Sequence, residues 1–239
     1  MTNCKNCSNE VSLNYCSNCG QAVTLKRIDA HYILHEVEHV LHFEKGILYT
    51  VKELLIRPGE NVRMFLSDNR NRLVKPIIFI IITSLIYTII SHFFHIEEEY
   101  VDFQGAEKSS TTVIFQWVQN HYGYANIIMG IFISLWVKLF FRKSGYNFFE
   151  ILILMCFIMG MGMLLYSVFA MAQGLTGVEM MQLAGALGFV YCSWAIGQFF
   201  NKSKISAYLK AVAAYLFGMI TFTFIAVLTG YLADLILKH

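Results

Sequence analysis

The sequence predicts an all-α polytopic membrane protein: five transmembrane helices, amphipathic juxtamembrane helices before them, and a small cysteine-rich module at the N-terminus. Three observations carry this. Of 239 residues, 56% are hydrophobic and 14% charged, whereas a soluble domain carries about 25% charged residues and needs them to cover its surface. The apolar residues gather after Pro76 into five stretches. Four of the six cysteines gather at the other end, within the first 19 residues. Abundant aromatics with little charge exclude intrinsic disorder, and two prolines exclude a Pro-rich chain.

The first predicted domain is residues 1–22. Cys4-Lys-Asn-Cys7 and Cys16-Ser-Asn-Cys19 are two CxxC pairs separated by eight residues. That spacing can present four thiolates tetrahedrally to one Zn²⁺ at about 2.3 Å. Gly20 suits the tight turn that lets backbone amides reach the sulfurs. The expectation is a zinc ribbon on Cys4, Cys7, Cys16 and Cys19, with iron in the same sulfur shell as the alternative. Four protein ligands close the site, so the metal holds structure and does no chemistry. A redox CxxC would need a thioredoxin-like βαβ context, which is missing. The chain opens on this motif without an apolar leader, so no secretory signal is read.

Residues 23–75 are mixed and charged, and are expected to form amphipathic helices on the membrane face. Over residues 24–45, His31, His35, His39 and His42 fall within about 80° of one helical face, a stripe that could hold a second metal or sense pH. Its blander reading is a helix lying on the membrane or on the bundle. Within the stripe, His35-Glu36-Val37-Glu38-His39 matches HExxH, two zinc ligands one turn apart with a glutamate base. No third ligand on a following helix is evident, so a metalloprotease stands only as an alternative. Two shorter helices are expected at about 46–56 and 60–66, separated by the stop Arg57-Pro58-Gly59. Arg70, Arg72 and Lys75 form a basic flank suited to anionic headgroups. Residues 1–75 hold ten basic and eight acidic side chains, too balanced for a nucleic-acid surface.

The third domain, 76–239, contains five stretches long enough to cross about 30 Å of hydrocarbon as helices. They run at about 76–94, 125–141, 148–172, 181–200 and 207–232. Pro76 fits the first turn of its helix. Sixteen basic residues lie before Pro76, in the links after spans two and four, or in the helix ends beside those links, against Lys108 and Lys238 on the other side. The positive-inside rule then makes the N-terminus cytoplasmic and the C-terminus external. It also places the cysteines in a reducing compartment, which favours a metal over disulfides. The external loop after the first span is acidic, with Glu97, Glu98, Glu99, Asp102 and Glu107. This reads as a solvated rim, or else as a divalent-cation site with His92, His95 and His121.

The spans carry almost no ionisable group at mid-membrane, which weakens the reading of an ion or proton transporter. Glu150, at the start of the third span, is expected to pair with Arg142 or Lys143. Cys156 and Cys192 read as small packing residues. Pairs such as Ala184/Gly188 and Ala214/Gly218 permit close helix approach, and with it oligomers. No catalytic motif outside the histidine stripe is present. The expectation is therefore a non-enzymatic scaffold, adaptor or sensor in the lipid bilayer, with the zinc ribbon recruiting a cytoplasmic protein partner. A transporter or channel for a neutral or lipid-like substrate is the alternative.

An ordered set of residues also carries a resemblance. Cys16-Ser-Asn-Cys19-Gly20-Gln21, Thr24-Leu-Lys-Arg27, His42-Phe-Glu-Lys-Gly46, Leu54-Leu-Ile-Arg-Pro-Gly59 and Lys75-Pro76 resemble an uncharacterised bacterial family of zinc-ribbon, multi-pass membrane proteins, a domain of unknown function. The resemblance covers about the first 95 residues and implies a bacterial inner membrane. The remainder, through Pro58, Tyr146-Asn-Phe-Phe-Glu150 and the short polar link into the last span, is similar to the five-helix Yip (Ypt/Rab-interacting protein) membrane domain. That similarity implies a membrane-organising or scaffolding role.

Overall fold

A computed structural model describes residues 2–4, 7, 9–11, 14–19, 46–70, 72–96 and 110–237. The chain divides into two compact units, 1–43 and 44–239. In the first, strand β1 (Thr2–Asn3) pairs antiparallel with β2 (Glu10–Val11), Thr2 opposite Val11 and Asn3 opposite Glu10.

The second unit is helical. It comprises α1 (Gly46–Ile56), α2 (Pro58–Ser67), α3 (Pro76–Phe93), α4 (Ser110–Asn120), α5 (Tyr122–Phe140), a 3₁₀ turn (Arg142–Ser144), α6 (Phe148–Thr176), α7 (Met181–Asn201) and α8 (Ile205–Leu237). Five of these, α3 and α5 to α8, are long and apolar enough to cross a membrane, as an integral membrane protein requires. Each matches one expected stretch, with ends displaced by a few residues. Helix α4, inside the expected external loop, was not anticipated.

Pro58 and Pro76 open α2 and α3, where a missing N–H breaks no helical bond. Asn147 opens α6 through a capping box. Its side chain accepts from the Glu150 amide at 2.9 Å, and Glu150 accepts from the Asn147 amide at 2.7 Å. Glu150 therefore caps its own helix, where the sequence suggested a pair with Arg142 or Lys143.

Helix α6 is apolar on every side and sits at the centre. Of its most apolar stretch 56% is buried, against 22% for α8. Helix α3 runs parallel to α6, with Phe79 against Phe157 near one end and Phe94 over Gly174 near the other. Helices α5, α6, α7 and α8 form a ring in which each packs on the next and α8 closes on α5. Small residues set these approaches. A Cβ on Gly218 would lie 2.6 Å from the Ile133 Cα, so α5 and α8 meet at backbone distance.

Helices α1 and α2 pack against this unit through polar groups at helix ends. Gly59 N donates to Gln198 Oε1 at 2.8 Å. Arg63 donates to the carbonyls of Gln198, at 2.7 Å, and Phe199. Those carbonyls lie in the last turn of α7, which has no helical partner for them and a negative dipole end. Asn61 Nδ2 donates to the carbonyls of Glu53 and Arg57 at the end of α1, and Tyr191 to that of Leu54. Arg72, expected to face headgroups, instead pairs with Glu53 at 2.8 Å.

Candidate metal centre

Short-range pairing assembles the cysteine module. The β1–β2 hairpin closes with the Cys4 amide donating to the Asn9 carbonyl at 2.8 Å, which places Cys4 and Cys7 on one knuckle. Cys16 and Cys19 bracket a second turn. The Cys4 and Cys19 sulfurs lie 3.6 Å apart, as do those of Cys7 and Cys16. All four sulfurs fall within 4.8 Å of one another. Sulfurs at 2.3 Å from a tetrahedral ion lie about 3.8 Å apart, so these two pairs are close to that spacing and the set is near enough to hold a metal. They are also far beyond disulfide length, and all four are free. Cys4 and Cys16 are buried, Cys7 is half-buried and Cys19 exposed.

At Cys7 the surroundings favour thiolate. The Cys7 thiol is lowered from 9.0 to about 6, first by the Asn9 backbone amide, then by the Asn18 side chain and by Cys19 and Cys16, against the opposing effect of desolvation. Donors aimed at sulfur stabilise the charged form, which is the metal-binding form. Among the described residues this is the group whose ligand atoms converge for a metal. His31, His35, His39 and His42, with Glu36 and Gly20, lie outside the described residues, as do Glu97, Glu98, Glu99, Asp102 and Glu107. His121 stacks on Trp117 with ring centroids 4.9 Å apart, and the His92 and His95 rings are 6.3 Å apart.

A second feature was not anticipated. At the centre of the α5–α8 ring is a cavity of about 230 Å³, lined by residues of all four helices. Tyr122, Tyr166 and Tyr215 face it with Asn126, Cys192 and several methionines. Asn126 is 4% exposed. Tyr122 and Tyr166 also meet Tyr87, with centroids 5.6 to 6.1 Å apart. The signal was present in the sequence as stripes at helical spacing: Tyr122, Asn126 and Met129; Met159, Gly162, Met163 and Tyr166; Gly185, Gly188 and Cys192. Taken singly, each is indistinguishable from a packing stripe.

A family model described as a protein of unknown function (DUF3667) matches residues 44–88. The match spans α1, α2, their link to α3 and most of α3, the stretch that holds Pro58-Gly59 and Arg63. No curated protein matches the chain, and no solved structure matches it.

Proposed function

We propose that this chain is a non-enzymatic adaptor or sensor of the membrane. Its head folds round a structural Zn²⁺ on Cys4, Cys7, Cys16 and Cys19, faces the cytoplasm and recruits a protein partner. The observation that carries this reading is the convergence of four sulfurs, all within 4.8 Å of one another and two pairs at 3.6 Å. A site with no open coordination position organises a surface rather than a reaction. The biased basic residues support the cytoplasmic side, and the resemblances support a bacterial inner membrane and a Yip-like scaffolding role. The metalloprotease reading through His35, Glu36 and His39 falls on residues outside those described and stays the second alternative.

Elemental analysis of the purified full chain is expected to give one zinc per chain, and none in Cys16→Ser. Iron in its place would overturn the metal's identity, and unchanged metal in the variant would overturn the site. Partners captured from the native membrane in mild detergent should differ between wild type and Cys16→Ser while the bundle unfolds at the same temperature. Identical partners would remove the adaptor role.

The central cavity favours a second reading, a carrier or channel for a neutral or lipid-like substrate. A space of this size near mid-membrane, with aromatic walls and a few convergent polar groups, suits a small uncharged molecule. Cys192 reports on it. N-ethylmaleimide should modify Cys192 in the folded chain, read by peptide mass spectrometry, and Gly162→Leu should suppress the reaction. Modification only after denaturation would close this reading.

A further inference from the structure

The end of the bundle where α5 and α7 finish carries a cleft that neither reading uses. Arg142 and Lys143 of the 3₁₀ turn, Lys204 of the next link and Lys210 of α8 line one concavity of about 670 Å³. No acidic side chain among the described residues lines it. Among the described residues the ion pair formed is Arg72 with Glu53, so none of these four cations is neutralised there. Ser144, Asn201 and Ser206 add neutral hydrogen-bonding groups at the lip. The floor is apolar: Phe141 and Phe200 stack with centroids 3.9 Å apart. Leu139, 56% exposed, continues the apolar surface along the membrane-facing flank.

The positive-inside rule accounts for basic residues at this end, but it concerns their number and not their convergence. Four cations with no acidic partner among the described residues repel one another around one hollow, and an anion seated between them relieves that repulsion. The hollow lies where the spans end, at the depth of lipid headgroups. An arginine fork and point-charge lysines suit phosphate oxygens. The apolar floor and flank suit the chain attached to that phosphate.

We propose that this cleft binds the phosphodiester headgroup of an anionic phospholipid. The phosphate sits among Arg142, Lys143, Lys204 and Lys210, and the start of an acyl chain lies along Leu139 and Phe141. A zwitterionic headgroup is disfavoured, because its own cation would meet the same four positive charges.

The test titrates the full chain in detergent with dioctanoylphosphatidylglycerol or dioctanoylphosphatidylcholine, and counts bound lipid by native mass spectrometry. One phosphatidylglycerol is expected to bind roughly tenfold tighter than the choline lipid. Arg142→Ala with Lys204→Ala should weaken it by roughly tenfold or more. Lys75→Ala with Lys202→Ala removes the same charge from the same end outside the cleft, and should leave binding within about twofold. Equal losses in the two double variants would reduce the site to diffuse charge and overturn it, as would equal affinity for both lipids. Displacement of the lipid by equimolar inorganic phosphate would overturn the lipid as occupant. Thermal unfolding in the same detergent establishes that each variant is folded. If the cleft double variant is not, Lys210→Gln on the exposed helix face carries the same comparison.

Discussion

A methyl group on Gly59 would lie 2.2 Å from the amide nitrogen of Phe199 and 2.5 Å from the carbonyl carbon of Gln198. Both neighbours are backbone, so the clash cannot be relieved by turning a side chain. Gly59→Ala must push α2 off α7 and stretch the bond from the Gly59 amide to Gln198 together with those from Arg63. Overpacking of this kind costs about 1–3 kcal/mol, and the expected outcome is a thermal midpoint several degrees lower in detergent. An unchanged midpoint would mean that α2 does not depend on this contact. In the head, the residue to watch is Cys7. Its thiol, lowered to about 6 by the Asn9 amide and its other donors, titrates well below an unfolded cysteine. Thiolate formation in the metal-free head therefore adds stability as pH rises from about 6 towards 9, and that contribution is lost as pH falls through about 6. Alkylation of Cys7 by iodoacetamide in the chelator-treated chain should follow the same curve, half-maximal near pH 6. A midpoint near 9 would refute the donor geometry.

Among the elements, the spans could be read because length and apolarity are local properties of a helix in lipid. The link Arg57-Pro58-Gly59 could be read as the stop of α1, which ends at Ile56. Helix α2 begins at Pro58 itself and not at the expected residue 60, because proline at N1 opens a helix as readily as it ends one. Helix α4 could not be read. It is short and half polar, and its support comes from across the chain. Asp234, in α8, accepts the Ser110 amide at 2.7 Å, serving one of the amides that α4 cannot satisfy itself. Thr111 meanwhile lies where a Cβ on Gly230 would be 2.5 Å from its Cα. No window of sequence around residue 110 contains either partner. Asp234→Ala should remove about 0.5–2 kcal/mol from the first turn of α4, as loss of a cap does. Faster amide exchange confined to residues 110–116 would register it, with Asp234→Asn retaining part of the protection. Unaltered exchange in both variants would show that α4 is held by packing alone. Arg63 was hidden for the same reason, since its acceptors lie 135 and 136 residues away.

At the scale of the whole molecule, the charge distribution read from the sequence becomes geometry. Helices α1 and α2 dock where α7 ends, Phe141 stacks on Phe200, and Tyr146 meets Phe199 at 4.7 Å. The starts of α6 and α8 and the ends of α5 and α7 therefore share one end of the bundle, and the link from α6 to α7, with Glu179, lies at the other. Arg142, Lys143, Lys202 and Lys204 all belong to the first end. Because the sequence of residues 1–75 holds no stretch apolar enough to span a membrane, the cysteines are expected on the same side of the membrane as that basic end. Sidedness consequently decides more than topology. With the basic end in the cytoplasm the thiols stay reduced and bind metal; with it outside they would oxidise to disulfides. The prediction uses a membrane-impermeant charged maleimide on intact cells. Glu179→Cys should be labelled directly, and Lys143→Cys and Lys204→Cys only after permeabilisation, with wild type as the background for the native cysteines. The reverse pattern would invert the protein, and the zinc head and the cytoplasmic partner would fall together, whereas the headgroup cleft, which depends on depth and not on side, would stand.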